Sequence, residues 1–217
     1  MNELERTLVV VGTGTEVGKT WASCRLLEEA RVRGINVSAR KPAQSFEGTG
    51  PTDAELLGAA SVESPEYVCP VHRTYTVPMA PPMAAEVLHH SPITLEQLVS
   101  ELHWKAGAQL RLLETAGGLR SPIAHDGDNL DLLRRVRPNH VLLVADAGLG
   151  TINSVRLCMA DLREWNTTVL LNRFDSTNDL HRRNREWLAV RDGYDLAIDA
   201  CDLIDRCFKP LSEGKTE

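Results

Sequence analysis

The segment GTGTEVGKT at residues 12–20 restricts the possible folds of this chain more than any other feature. It follows the apolar run LVVV at residues 8–11, which has the β-branched character of a strand buried on both faces. Residues 20–33 after it read as a helix, and Gly34 is placed to end that helix. A strand, a glycine-rich loop and a helix in this order predict a phosphate-binding loop.

The loop has the chemistry that a phosphate site needs, although its spacing is irregular. Glycines allow the backbone to approach phosphate oxygens, and N–H groups at the start of a helix attract their charge. In such a loop Lys19 would contact the β and γ phosphates, and the Thr20 hydroxyl would ligate Mg²⁺. The strict pattern needs glycine at Thr13, whereas Gly12 lies one residue too early. A glycine-rich turn that only ends a strand is the alternative, but the combined strand, loop and helix favour the phosphate site.

The rest of the chain alternates between strand and helix patterns. Strands are predicted at residues 36–40, 110–113, 141–144 and 168–171. Helices are predicted from Thr52 onward and at residues 95–104, 130–136 and 153–165, and the proline-rich segment 61–92 as a connection with a short strand near Tyr75 and a short helix at 84–88. This alternation predicts an α/β fold of the P-loop type, an open and mostly parallel sheet with helices on both faces. We expect one domain over residues 1–217, with no element assigned after residue 195 and a frayed end at 212–217.

Several charged residues follow predicted strands, where open α/β sheets bind ligands. Glu114 is the leading candidate for a Mg²⁺ carboxylate, since this ion prefers oxygen ligands. Asp53, after Thr52 at a helix start, is as readily explained by capping as by metal binding. Lys41 is either a surface lysine or a group that stabilises charge during phosphoryl transfer. Asp146 lies in a glycine-rich turn and is left outside the metal set.

Composition narrows the class of function. A net charge of −6 over 217 residues argues against a general nucleic-acid-binding protein, but a few local basic residues can still bind a small anion. The five cysteines form no CxxC pair, which indicates reduced thiols. There is no apolar run of ~18 residues and no signal-peptide pattern, so we expect a cytoplasmic protein without a membrane segment.

The motifs resemble, in order, those of the dethiobiotin synthetase family, ATP-dependent carboxylases of biotin biosynthesis. The resemblance covers roughly residues 7–175 and includes the phosphate loop with the same missing glycine. The other segments that carry it are Lys41-Pro42 with Ser45, TDA at 52–54, PMAP at 78–81, ETAGG at 114–118 and LGTIN at 149–153.

The resemblance implies a homodimeric ligase that uses Mg²⁺ and ATP to carboxylate 7,8-diaminononanoate with CO₂ and close a ureido ring, releasing ADP and phosphate. The implied metal ligands are Thr20, Asp53 and Glu114. The implied catalytic residues are Lys19, Lys41 and Thr15. The implied nucleotide contacts are Gly14, Thr15, Glu16, Val17, Gly18, Lys19, Thr20 and, at the position that reads adenine, Asn172. The implied substrate contacts are Thr15, Lys41, Ser45, Gly118 and, from the partner subunit, Gly150, Thr151, Ile152 and Asn153.

Three features depart from the family pattern. Thr115 stands where glycine is usual, Arg173 where aspartate is common, and the C-terminal part lacks a Leu-Gly-x-Ile-Pro-like segment.

Two other functions are compatible with a P-loop. A nucleotide-switched partitioning ATPase would usually carry an additional lysine near the start of the loop, which residues 13–15 do not supply. An amide-forming synthase of the cobyrinate type would carry a glutaminase domain, for which we expect no room in 217 residues.

Overall fold

The computed structural model describes residues 5–48 and 50–208, except for the side chains of Ala200, Cys207 and Phe208. The predicted frayed end at 212–217 lies outside these residues, and the prediction of one domain stays a prediction. The strands in the described residues are β1 (Arg6–Gly12), β2 (Val37–Arg40), β3 (Gln44–Ser45), β4 (Thr74–Tyr75), β5 (Leu110–Glu114), β6 (Pro122–Ala124), β7 (Gly127–Asp128), β8 (His140–Asp146), β9 (Thr167–Asn172) and β10 (Asp195–Ala197).

Helices connect these strands. They are α1 (Lys19–Val32), α2 (Asp53–Ser61), α3 (Pro65–Val68), α4 (Pro81–Val87), α5 (Leu95–Ser100), α6 (Asn129–Val136), α7 (Thr151–Asp161), α8 (Asp179–Glu186) and α9 (Ala200–Phe208). A short 3₁₀ turn at Val71–Arg73 precedes β4, and a π-helical stretch at Trp187–Arg191 continues α8. Among the described residues, no helix combines the length and apolar character needed to cross a membrane.

The central sheet confirms the predicted parallel α/β architecture. Its six strands in the described part of the chain run in the order β10-β9-β8-β1-β5-β2, and every neighbouring pair is parallel. Because successive strand residues face opposite sides, β1 directs Val9 and Val11 into one core and Leu8 and Val10 into the other. Helices cover both faces, so β1 lies at the centre of the molecule and its carboxyl end opens at one edge.

The ends of the predicted elements were less accurate than their positions. Gly34 ends α1 as expected, with a φ of 77° and its N–H donated to the Arg31 carbonyl at 2.9 Å. Helix α5 stops at Ser100 instead of residue 104, because the chain beyond it turns toward Arg40. That guanidinium bonds the His103 carbonyl at 2.6 Å and lies over the Trp104 ring. Helix α7 begins two residues early and ends at Asp161, and the elements β3, β6, β7, α3, α8, β10 and α9 were not predicted.

Candidate active site

The phosphate loop joins β1 to α1 at the centre of the sheet edge. Its irregular spacing has a structural reason, because the close approach occurs at Gly12: an added Cβ there would lie 2.8 Å from the Gly14 carbonyl oxygen. Thr13 instead continues toward β8 and donates its N–H to the Val144 carbonyl at 2.9 Å. Gly18 precedes α1 with a φ of 93°, a conformation that favours glycine. The loop therefore needs its glycines at 12 and 18, and a threonine fits at 13.

Oxygen ligands from three elements meet at the start of α1. The Thr20 hydroxyl is 2.7 Å from an Asp53 carboxylate oxygen and 2.8 Å from a Glu114 carboxylate oxygen. The Ser23 hydroxyl donates to the other Glu114 oxygen at 2.7 Å. Glu114 is completely buried, and its position follows from the end of β5 beside β1. The structure thus brings together Thr20, Asp53 and Glu114, which the sequence had placed on separate segments.

Two lysines approach this cluster. The Lys41 ammonium lies 2.6 Å from Asp53 and 2.7 Å from Glu114, and it is 2% exposed. Burial opposes its charge, but the two carboxylates raise its pKa above the ordinary value. Burial would also raise the pKa of Asp53, and Lys41 outweighs that effect and lowers it. Burial, followed by the nearby Lys41 charge, lowers the pKa of Lys19 to about 8.

Lys19, Lys41 and Asp53 line one cavity of ≈ 850 Å³, whereas the buried Glu114 does not. The cavity lining combines these polar groups and the phosphate loop with apolar side chains. The apolar lining residues are Trp21, Phe46, Pro78, Met79, Ala80, Pro81 and Pro122. Ser45 also lines the cavity, and its hydroxyl has no hydrogen-bond partner among the described residues. Such a cavity can hold both a charged group and an aliphatic chain.

Some of the remaining predicted residues line this cavity, and others do not. Thr15, Glu16, Gly18, Lys19 and Thr20 line it, whereas Gly14 and Val17 belong to the same loop but do not. Gly118 packs against the loop, since a Cβ there would lie 3.3 Å from the Gly14 Cα, and its N–H bonds the Ser121 hydroxyl. The predicted partner-subunit contacts, Gly150, Thr151, Ile152 and Asn153, form the start of α7 and do not line the cavity of their own subunit.

Asn172, which ends β9, and Arg173, the next residue, contact the phosphate loop. The Asn172 amide donates to the Val17 carbonyl at 2.9 Å and is 6% exposed. Its predicted adenine contact stays a prediction, because this amide faces the phosphate loop here. The Arg173 guanidinium donates to the Glu16 carbonyl at 2.9 Å and to Asp146 at 2.7 Å. Sequence reasoning noted Arg173 only as a departure from the family pattern and gave Asp146 no partner.

Gln44 and Thr115 are further residues whose roles the sequence did not reveal. The Gln44 side chain accepts the Ala54 N–H at 2.9 Å, which fixes the start of α2 and so the position of Asp53. Thr115 keeps the backbone of β5 in place, since its N–H and hydroxyl both donate to the Val10 carbonyl, at 3.0 and 3.1 Å. Thr115 contacts a strand 105 positions away, which no local sequence pattern indicates. Gln44 and Ala54 are ten positions apart, but no helix or strand pattern joins them.

Gly18→Ala should destabilise the protein, because it adds a Cβ 1.9 Å from the Asn172 amide nitrogen at a left-handed backbone position. Such a position alone costs roughly 1–2 kcal/mol for a residue other than glycine. We expect a loss of about 2 kcal/mol or more in the free energy of unfolding, or roughly 5 °C in Tm. Gly14→Ala is the matched control, since its Cβ would have no neighbour closer than 4.0 Å. Equal Tm values for the two variants in calorimetry would contradict the assignment.

The chain is similar in sequence and in structure to known proteins. A family model described as an AAA domain matches residues 6–183. A protein of an Anaeromyxobacter species named ATP-dependent dethiobiotin synthetase BioD is 36% identical over 181 residues, which covers 80% of this chain and 79% of that protein. The protein of the same name from Caulobacter vibrioides is 37% identical over 164 residues, covering 73% and 74%.

Solved structures share the fold at low sequence identity. The signal recognition particle receptor FtsY of Elizabethkingia anophelis in complex with GDP has a TM-score of 0.52 and 18% identity, covering 94% of this chain but less than two thirds, 64%, of the receptor chain. A putative plasmid partition protein of Borrelia burgdorferi bound to AMPPNP has a TM-score of 0.52 and 12% identity, covering 90% and 87%. At these identities the likeness indicates a common P-loop fold and says nothing about the reaction.

Proposed function

Since the chain belongs to the ATP-dependent dethiobiotin synthetase family, we propose that its cavity binds ATP and Mg²⁺ at the phosphate loop and 7,8-diaminononanoate along the apolar wall. The chain is a ligase of biotin biosynthesis. The observation that supports this arrangement is the meeting of Thr20, Asp53, Glu114 and Lys41 beside the loop. We further propose that it acts in the cytoplasm as a homodimer of single-domain subunits.

The ligands at the start of α1 fit a magnesium ion. A hydroxyl and two carboxylates are the hard oxygen ligands that Mg²⁺ accepts, and the ion binds through few protein groups because phosphates and water complete its shell. Thr20, Asp53 and Glu114 would hold it. Among the described residues, no group of three or more His, Cys, Asp or Glu side chains could hold a metal ion by itself. When bound, the ion neutralises charge on the phosphates.

The reaction needs three changes of bonding. One substrate amine adds to CO₂, forms a carbamate and loses a proton. A carbamate oxygen then attacks the γ-phosphorus of ATP, and the bond to the β-γ bridging oxygen breaks to release ADP. Finally the second amine attacks the carbonyl carbon, phosphate leaves, and a proton is lost as the ring closes. Because no step forms a bond to the protein, the protein contributes position and charge.

Lys19 and Lys41 supply the positive charge for these steps. Lys19 lines the cavity, and in our proposal it contacts the transferred phosphoryl group. Lys41 lines the same cavity 2.7 Å from Glu114, and we assign it to the carbamate and the mixed anhydride. We assign hydrogen bonds near the two amines to Thr15 and to Ser45, whose hydroxyl has no partner among the described residues. The apolar wall excludes water from an intermediate that water would hydrolyse.

The far end of the substrate is assigned to Gly118 and to the partner subunit. The loop that contains Gly150, Thr151, Ile152 and Asn153 stands away from its own cavity, and Leu149 beside it is 93% exposed. The start of α7 also offers N–H groups that suit a carboxylate. These features favour a dimer in which this loop receives the carboxylate of the substrate held by the partner.

The decisive experiment is a direct assay of the product. Purified protein is mixed with 7,8-diaminononanoate, bicarbonate, MgCl₂ and ATP, and dethiobiotin is measured by mass spectrometry with ADP and phosphate in equal amounts. Omission of the diamine should stop ADP release, which separates this enzyme from a nucleotide-switched ATPase. Nucleotide binding without any dethiobiotin, or ADP release that does not depend on the diamine, would overturn the proposed function.

A further inference from the structure

Arg173 connects the phosphate loop to the neighbouring strand end. It is the first residue after β9, and its guanidinium donates to the Glu16 carbonyl and to the Asp146 carboxylate. Asp146 ends β8 and also accepts the Gly148 N–H at 2.8 Å. The side chain thus reaches the loop from the cavity edge, which it also lines. The proposed carboxylation requires no group at this place.

The bond to Glu16 determines the direction of a peptide group in the loop. The described chain contains no cis peptide bond, and in a trans peptide the carbonyl and the following N–H point in opposite directions. Because Arg173 holds the Glu16 carbonyl, the Val17 N–H points away from Arg173. In the same way, the bond from Asn172 to the Val17 carbonyl turns the Gly18 N–H away from β9. The two bonds therefore fix the directions of two successive N–H groups, and an anion-binding loop is built from such oriented groups.

The backbone conformation agrees with a loop that is held by its surroundings. Glu16 and Arg173 both have a φ of 58°, a left-handed conformation that costs residues other than glycine roughly 1–2 kcal/mol. Such conformations persist where neighbouring contacts fix them, and they occur preferentially at functional sites. Val62, His89 and Arg137 also adopt this conformation in the described chain, but Glu16 and Arg173 are bonded to each other. The strained backbone of these two residues and the hydrogen bond between them therefore occur at the same contact.

The contact does little for overall stability. The side chains of Arg173 and Asp146 are 59% and 45% exposed, and ion pairs that exposed contribute little to folding. The bond from Arg173 to the loop instead fixes the orientation of a peptide that a phosphate would contact. Its loss should therefore change ligand binding more than it changes the melting temperature.

We propose that Arg173 is a positioning residue that presets the phosphate loop by holding the Glu16 carbonyl, and so raises affinity for the phosphates of the nucleotide and not for its base. This rests on the nucleotide-binding half of the proposed function. Arg173 itself does not contact the phosphates in this assignment. It acts through the Val17 N–H, with Asp146 holding the guanidinium in place.

The test compares Arg173→Ala with wild type for binding of ADP and of inorganic tripolyphosphate, a ligand without base or ribose. We expect the Kd to rise about tenfold for both ligands, which corresponds to about 1.4 kcal/mol. The KM for ATP should rise by a similar factor, while kcat stays within about threefold of wild type. Arg173→Lys should restore part of the loss, since one ammonium can bond the Glu16 carbonyl without the second contact to Asp146.

Arg134→Ala is the matched control, because Arg134 is 56% exposed and pairs with Asp131 at 2.9 Å on a helix outside the cavity lining. It should bind both ligands as wild type does. Unchanged binding in Arg173→Ala, or weaker binding of ADP with unchanged binding of tripolyphosphate, would overturn the positioning role. If wild type binds ADP but forms no dethiobiotin, the proposed reaction fails while the role of Arg173 stands.

Discussion

Glu114→Gln is expected to lower the rate of dethiobiotin formation by about 100-fold or more, since loss of groups around a catalytic metal has effects of this order or larger. The substitution keeps the shape of the side chain and removes its charge. Glu114 is completely buried and accepts hydrogen bonds from Thr20, Ser23 and Lys41. An amide can replace only part of this, because its nitrogen donates where a carboxylate oxygen accepts. The rate is measured at saturating ATP and MgCl₂.

A variant of a buried glutamate elsewhere in the protein distinguishes a loss of catalysis from a loss of stability. Glu63 is 8% exposed in its side chain and pairs with Arg40 at 2.8 Å, outside the cavity lining. Glu63→Gln should lower the melting temperature and keep the turnover per folded molecule near that of wild type. Circular dichroism of both variants at the assay temperature confirms that they are folded. Near-normal turnover of Glu114→Gln would remove Glu114 from the metal site.

The parts of the fold that sequence predicted are those in which local pattern and tertiary environment agree. The strand at 8–11 is apolar on both faces because helices cover both faces of the sheet, and Gly34 ends its helix by a local backbone preference. Helix α5 was predicted too long because its end is set by Arg40, a residue more than sixty positions away. Strands β6 and β7 of the hairpin have three and two residues, which are too few for a periodic signal.

In the candidate site, too, some features could be predicted from the sequence and others could not. The phosphate loop and the residues after strands could be predicted, since the carboxyl ends of parallel strands meet at one edge. The contacts that hold the loop could not, because Arg173 and Glu16 are separated by 157 positions and no residue near Arg173 indicates that it bonds the loop. Asp53 was weighed as a helix cap or as a metal ligand, but the cap of α2 is Thr52, whose side chain accepts the Glu55 N–H. Asp53 instead accepts the Thr20 hydroxyl in the cluster, so the capping alternative for Asp53 was wrong.

Lys41→Met is expected to lower both turnover and stability, because Asp53 and Glu114 share the single ammonium of Lys41 at 2.6 and 2.7 Å. Methionine keeps an aliphatic chain of similar reach and removes the charge. Removing one partner of a buried ion pair costs about 3–5 kcal/mol, since it leaves a buried charge without compensation. We expect a free energy of unfolding lower by about that amount in metal-free buffer, and turnover lower by about 100-fold because the carbamate and mixed anhydride lose their positive neighbour.

Addition of ligand, and a variant of the preceding residue, show why Lys41→Met loses turnover and stability. MgCl₂ with ADP should raise the melting temperature of Lys41→Met more than that of wild type, because a divalent cation restores positive charge beside Asp53 and Glu114. Arg40→Met is the control: Arg40 is the preceding residue and equally buried, but it pairs with Glu63 outside the cavity lining. It should lose stability and keep its turnover per folded molecule. If Lys41→Met retains the same turnover as Arg40→Met, Lys41 neutralises the carboxylates without acting on the substrates.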